Sequence, residues 1–277
     1  MTMASDPGLI TLAPNDWPHL RDLYRRDWPQ YELAYETVQN YIEWAHQLNQ
    51  PPEVTFYALP ESWRKDGTVI IVSGEYVFIY TLDETLDTLR RTLLAFRWDQ
   101  SYLVAMTSYR ALVLEVYNTL HLQKLVDIPN KFYHLNHKQA AQFTVELPEG
   151  FTTGRIFPQN ATLINDRWRF KGSNSEATIK RLLERNYSMG LFDPQGQLVG
   201  WCLRGENGAL QMLGVETKRK GYGSIVLKAF AKYLAAKKLN TYACVVTLNE
   251  PSKALFLKLG FAEICKVDYL MNAARST

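Results

Sequence analysis

A chain of 277 residues that is 47% hydrophobic and 21% charged has enough apolar material for two modest cores or one large one, which excludes a disordered chain. Its formal charge of +3 is too mild to require a nucleic acid or an anionic membrane as partner. The three cysteines, Cys202, Cys244 and Cys265, lie in or near apolar strand-like runs without metal-ligand or Cys-x-x-Cys spacing, so they read as reduced, packed thiols and no metal is expected.

Residues 1–14 lack the basic, apolar and small-residue progression of a secretion signal, and no apolar run approaches a membrane span. The expectation is an intracellular protein, cytoplasmic or mitochondrial, with no membrane partner. Oligomeric state leaves no trace in the sequence.

In chain order, residues 9–12 and 17–28 read as a strand and a helix, followed by a helix over 31–48. Strands are predicted at 54–59, 69–73 and 76–82, and a helix follows with Leu86, Leu89 and Leu93 on one face. A strand at 102–107, a helix at 110–120 and a strand at 125–133 close this half.

The second half begins with a strand at 147–156 and a helix at 175–185 with Ile179, Leu182 and Leu183 apolar. Strands at 188–192 and 198–204 flank Asp193-Pro194-Gln195-Gly196, a turn sequence, and Glu206-Asn207-Gly208 turns the chain into a strand at 209–215. After a helix from Ser224, a strand at 241–248, a helix at 251–259 ended by Gly260, and a strand at 263–271 complete the chain.

The chemistry concentrates between Ala209 and Phe261. The strand at 209–215 leads into Lys218-Arg219-Lys220-Gly221-Tyr222-Gly223, where paired glycines let backbone pass closely under a ligand. The loop sits at a helix N-terminus, where unpaired N–H groups and the positive dipole end attract anions, and three cations add to that field. A diphosphate fits such a cradle. The Gly-x-x-x-x-Gly-Lys-Ser/Thr pattern is absent, and no Gly-x-Gly-x-x-Gly opens the helix, so nucleotide hydrolysis and dinucleotide binding lose support.

Lys218-x-x-Gly221-x-Gly223 resembles the Arg/Gln-x-x-Gly-x-Gly/Ala signature of the GNAT superfamily of acyl-CoA-dependent N-acyltransferases, with lysine at the first position. Trp201-Cys202-Leu203-Arg204, Glu206-Asn207-Gly208 and Asn249-Glu250-Pro251-Ser252 are similar to the glycine N-acyltransferase-like branch. The resemblance implies an α/β (α+β) fold of two tandem GNAT-like domains, each a mixed, mostly antiparallel sheet flanked by helices. Residues 1–140 would be a degenerate copy and 141–277 the acyl-CoA-binding domain, the boundary falling at 136–144.

In the first copy Thr81-Leu82-Asp83-Glu84-Thr85 stands where the phosphate loop would be. It has no glycine, and its carboxylates suit a helix cap rather than a diphosphate. This half is expected to be structural and to shape the acceptor pocket.

The resemblance also implies site roles. Backbone groups of Leu213, Gly214 and Val215 would hold the pantetheine arm of acetyl-CoA or a longer acyl-CoA. Amides of Arg219, Lys220, Gly221, Tyr222, Gly223 and Ser224, with Lys218 beside them, would bind the diphosphate. Asn249 and Phe256 fall in the family's cofactor-binding helix.

Amide formation needs a base, an oxyanion site and a way to stabilise the departing thiolate. The five histidines, His19, His46, His121, His134 and His137, all precede residue 141, so a carboxylate is the leading base. Glu216 matches the branch's catalytic glutamate; alternatively it is a loop carboxylate paired with Lys218 or Arg219, or facing water.

A tyrosine that protonates the thiolate in many relatives is Phe256 here. Ser252, one helical turn earlier, either donates to the sulfur or is a solvated helix-start hydroxyl. Cys244 reads as a core thiol rather than a covalent nucleophile. The acceptor would be a small amine or amino acid, and non-catalytic acyl-CoA sensing or scaffolding is the alternative function.

Overall fold

The computed structural model describes residues 8–47, 52–99, 102–122 and 125–272. Its elements run β1 (Ile10–Thr11), α1 (Trp17–Leu23), α2 (Glu32–Gln47), β2 (Thr55–Ala58), α3 (Trp63–Asp66), β3 (Val69–Ser73), β4 (Tyr76–Tyr80), α4 (Asp87–Ala95), β5 (Tyr102–Met106), α5 (Arg110–Thr119) and β6 (Leu125–Leu135). They continue with α6 (His137–Ala140), β7 (Thr152–Gly154), α7 (Ala161–Arg167), α8 (Ser175–Arg185), β8 (Ser188–Phe192), β9 (Leu198–Arg204), β10 (Ala209–Val215), α9 (Tyr222–Ala236), β11 (Thr241–Val246), α10 (Glu250–Lys258) and β12 (Ala262–Asn272).

The predicted strand at 147–156 shrinks to β7, and α7 forms where no helix was expected. The C-terminal end of the predicted helix at 31–48 lies outside the described residues.

Two compact units result: residues 1–131 with 264–277, and residues 132–263. This division differs from the contiguous one expected at 140/141 in that the first unit is discontinuous. β12 pairs antiparallel with β5, Val267 opposite Met106 through Met271 opposite Tyr102, so this last strand joins the first sheet. β6 crosses the boundary: its last residues, His134 among them, open the second unit, with His137 just beyond the strand.

In the first unit β1 to β4 are joined antiparallel and β4 runs parallel to β5. Val69, Ile70 and Ile71 are each fully buried, as a strand covered on both faces requires. Leu89, Leu93, Leu112, Val113 and Val116 of α4 and α5 cover one face together with Leu270 of β12. On β2, Phe56 faces the other way, stacked on Trp17 and edge-on to Tyr41, which brings α1 and α2 onto the opposite face.

The loop before α4 holds no ligand cradle, because Asp83 fills it. Its Oδ1 accepts from the Thr85 amide at 3.0 Å and its Oδ2 from the Thr88 amide at 2.9 Å, in the first turn of α4. Burial pushes the carboxyl pKa up, but the hydrogen bonds from Thr85 and Thr88 outweigh it and hold it below the usual range.

A depressed folded pKa means stability that is present above the unfolded value of about 3.9 and lost as pH falls through the folded one. Asp83→Ala should cost about 1 kcal/mol at neutral pH, as loss of a cap does. In urea unfolding at pH 7 the variant should be weaker, and the difference should close as the medium is acidified through the depressed folded-state pKa.

The second unit is an antiparallel β7-β8-β9-β10 sheet, with β11 parallel to β10. Val226, Leu227, Phe230, Ala231 and Leu234 of α9 pack on Met189, Leu191, Cys202 and Leu210. That face carries Gly200 and Cys202 of β9, so the alternation of side chains turns Trp201 to the opposite face.

Candidate active site

β10 is paired unequally on its two edges. Toward β9 the ladder continues to Val215 opposite Gly200, and the Glu216 amide donates to the Val199 carbonyl at 2.9 Å. Toward β11 only Ala209 and Leu210 are in register, with Tyr242 and Ala243. From Gln211 to Val215 the backbone edge facing β11 has no ladder partner among the described residues, and these residues are all half-buried. Leu213, Gly214 and Val215 thus line an open edge of polar backbone groups, which need a partner when covered.

A bulge produces the split. The β9–β10 register shifts between Gln211 and Gly214, and Met212 takes a left-handed φ of 54°. Beneath it Cys202 is fully buried and its Sγ donates to the Gln211 carbonyl at 3.6 Å; burial pushes this thiol far above its ordinary pKa, so it is inert.

Gly214 lies under the Trp201 ring: a Cβ there would stand 2.5 Å from it. Gly214→Ala must move an indole that is 2% exposed, and should lose about 1–3 kcal/mol in denaturant unfolding, as overpacking does.

The phosphate-type loop follows directly. Gly221 precedes the first residue of α9 with φ 78°, in the left-handed region, and a Cβ would meet nothing within 4 Å. The first helical bond from this end, Ile225 amide to Gly221 carbonyl, is 3.2 Å long, which leaves the amides of Tyr222, Gly223 and Ser224 directed outward. No acidic side chain occupies the first turn. Lys218, Arg219 and Lys220 are exposed, and none forms an ion pair among the described residues. The Tyr222 ring packs against Phe151 at 5.5 Å, so its side chain anchors the helix while its amide stays outward.

α10 stands beside this end of α9: a Cβ on Gly223 would lie 3.5 Å from the Leu255 side chain. Asn249 caps α10, its Oδ1 accepting from the Ser252 amide at 3.3 Å. Ser252 is half-buried, and its hydroxyl makes no hydrogen bond among the described residues. Phe256 is packed in the core instead, 3% exposed, with its ring 6.2 Å from Tyr133 in parallel and 5.0 Å from Phe261 edge-on. Its observed place is packing rather than a ligand-facing position.

Glu216 continues β10 on the same face as Gly214 and Trp201. Neither Lys218 nor Arg219 is its partner. Arg167, the last residue of α7, forks onto it, with Nε 3.1 Å from Oε1 and Nη2 3.1 Å from Oε2. Arg167 was not singled out in the sequence, where no element is predicted between residues 156 and 175.

Histidine is present in the unit that carries the loop. His134 and His137 belong to the same unit as the loop. His137 Nδ1 lies 3.0 Å from the Asn240 Oδ1, and His134 lies 5.5 Å from the Tyr242 ring, with burial pushing its pKa down. The described residues contain no His, Cys, Asp and Glu group able to hold a metal ion, and no helix long and apolar enough to cross a membrane.

Residues 188–270 match the family model described as FR47-like protein. Glycine N-acyltransferase-like protein 2 of Homo sapiens is 29% identical over 140 residues, a match spanning 47% of each chain, so about half of that relative's length is covered.

Among solved structures, a Drosophila structural-genomics protein superposes with TM-score 0.87 at 20% identity, covering 97% of this chain and 99% of that one. A tandem GNAT protein from the clavulanic acid biosynthesis pathway gives 0.57 at 13% identity over 95% and 97% of the two chains. A GCN5-related N-acetyltransferase-like protein from Streptococcus suis gives 0.54 at 12% identity over 92% and 98%. The fold is that of the tandem GNAT proteins, and the resemblance read from the loop motif agrees with both the human relative and the FR47-like match.

Proposed function

We infer that this tandem GNAT-fold chain transfers an acyl group from acyl-CoA to the amine of a small acceptor, by direct attack in a ternary complex. The observation that carries the reading is the unpaired edge of β10 running straight into the glycine-opened N-terminus of α9. An extended amide-bearing arm ending in a diphosphate matches that sequence of backbone donors and acceptors followed by an anion cradle.

Leu213, Gly214 and Val215 would pair with the pantetheine of acetyl-CoA or a longer acyl-CoA. Amides from Arg219 to Ser224, with the cations of Lys218, Arg219 and Lys220, would hold the diphosphate. The acceptor is glycine, as the human relative's name points to, or another amino acid or amine.

Glu216 is the proposed base. Its carboxylate can accept at about four positions, so the Arg167 fork leaves room for an ammonium N–H. The amine nitrogen forms a bond to the thioester carbonyl carbon, the carbon–sulfur bond breaks, and its electron pair leaves on sulfur. Of the two protons the ammonium loses, one passes through Glu216 to solvent and the other ends on the thiolate. Ser252, at the start of α10, would donate to that sulfur, with the helix N-terminus favouring its negative charge.

The test is a thiol-release assay crossing acetyl-, longer-chain and aromatic acyl-CoAs with glycine, other amino acids and polyamines. Release that requires both substrates supports transfer. Buried Phe256, in place of a tyrosine hydroxyl, favours the second reading, an acyl-CoA sensor or scaffold. That reading gains if CoA raises the unfolding temperature while no acceptor releases thiol. No CoA association in calorimetry overturns both.

A further inference from the structure

The Arg167–Glu216 fork occupies the carboxylate assigned as base. Both side chains reach solvent, at 56% and 27% exposure, and exposed ion pairs contribute little to a fold's stability. A guanidinium fork accepts any carboxylate with the same geometry. The pairing holds the Arg167 guanidinium above its ordinary pKa, with the Glu216 hydrogen bonds as the leading cause.

A fixed cation beside a fixed anion is also the complement of a zwitterion lying across it. The acceptor's carboxylate can take Glu216's place on Arg167, while its ammonium meets the released Glu216. One ion pair becomes two. Because Arg167 and Glu216 start in contact, at 3.1 Å, a zwitterion with only one or two carbons between its charges spans them with the least movement of either side chain.

We propose that Arg167 determines acceptor specificity by exchange: it clamps Glu216 in the free protein and trades it for the acceptor's carboxylate, so the base is released only by an amine that carries an acid group. The exchange rests on the reading of Glu216 as base in acyl transfer. An uncharged amine lacks the group that opens the clamp. An acid without an amine opens it unproductively, and so competes with the acceptor.

Glycine and glycinamide, which differ in the carboxylate alone, separate the possibilities. With acetyl-CoA, or whichever acyl-CoA turns over, the protein should prefer glycine at least about tenfold in kcat/KM, the loss expected when a charged hydrogen-bond partner is missing. Arg167→Gln should raise the glycine KM at least about tenfold and raise glycinamide turnover, reversing or erasing the preference. Arg167→Lys should recover only part of it, because an ammonium cannot fork.

A glycine-to-glycinamide ratio unchanged in Arg167→Gln overturns the proposal. If no acceptor releases thiol, acyl transfer fails as a reading, and calorimetric titration of glycine into CoA-saturated protein decides the exchange independently. Binding lost in Arg167→Gln upholds it; equal binding in both proteins, or none in the wild type, overturns it. Should Arg167→Gln not fold, Glu216→Gln tests the same clamp, since removing the competing carboxylate should tighten acetate binding several-fold and unchanged acetate affinity counts against it.

Discussion

Glu216→Gln should leave CoA affinity nearly intact and reduce turnover by about a hundredfold or more. The amide keeps the side chain's size and one acceptor oxygen, and the proposed pantetheine and diphosphate contacts use backbone groups on either side of it rather than the Glu216 side chain, so they should be undisturbed. What it loses is the ability to take a proton from the acceptor ammonium, which must become a neutral amine before it can attack.

The measurement is steady-state thiol release beside calorimetric CoA binding. Turnover unchanged in the variant removes Glu216 from the chemistry and leaves its fork with Arg167 as a surface ion pair. A loss of CoA binding as large as the loss of turnover would mean instead that the β10–α9 junction had been disturbed.

Gly221→Val should weaken CoA binding by roughly ten- to a hundredfold while the protein remains folded. The position has φ 78°, and a β-branched residue is strongly disfavoured there, at a cost of about 1–2 kcal/mol in backbone strain alone. Nothing within 4 Å crowds a side chain, so the penalty comes from conformation rather than collision. Relieving it rotates the peptide that aims the first amides of α9, and each hydrogen bond to a charged group is worth about 1.5–3 kcal/mol.

Charge reversal at Lys218, Arg219 and Lys220 should act in the same direction, but its effect should fade as salt rises, because these side chains are exposed. Calorimetry at two ionic strengths separates them: the Gly221 defect persists in salt and the charge-reversal defect shrinks. CoA affinity unaffected by either change would remove the diphosphate cradle on which the functional reading depends.

Much of this site was legible because it is local. The apolar run of β10, the two glycines and the helical spacing of Leu227, Phe230, Ala231 and Leu234 all lie within one short segment, and local periodicity and turn chemistry report on neighbours in the chain. Asp83 was legible in the first unit for the same reason: a carboxylate beside a helix start finds the amides a few residues away.

The bulge at Met212 left no signal, since the left-handed residue is not a glycine, asparagine or aspartate. Two of the five histidines fall in the unit with α9 and β11, because a boundary drawn from the order of predicted elements left out the last residues of β6 and the turn after it.

By itself the sequence determined the order of the main strands and helices (though not α3, α6 or α7), the glycine-opened helix with its cations, and the acidic residues in the corresponding loop of the first half, since each is written in residues adjacent in the chain. Tertiary structure alone decided the partner of Glu216, which is 49 residues away, the burial of Phe256 between Tyr133 and Phe261, and the transfer of β12 to the first sheet beside β5. The physical reason is common to all three. Such pairings are chosen by which surfaces meet once the sheets have formed, and that choice depends on every element at once rather than on the residues beside it.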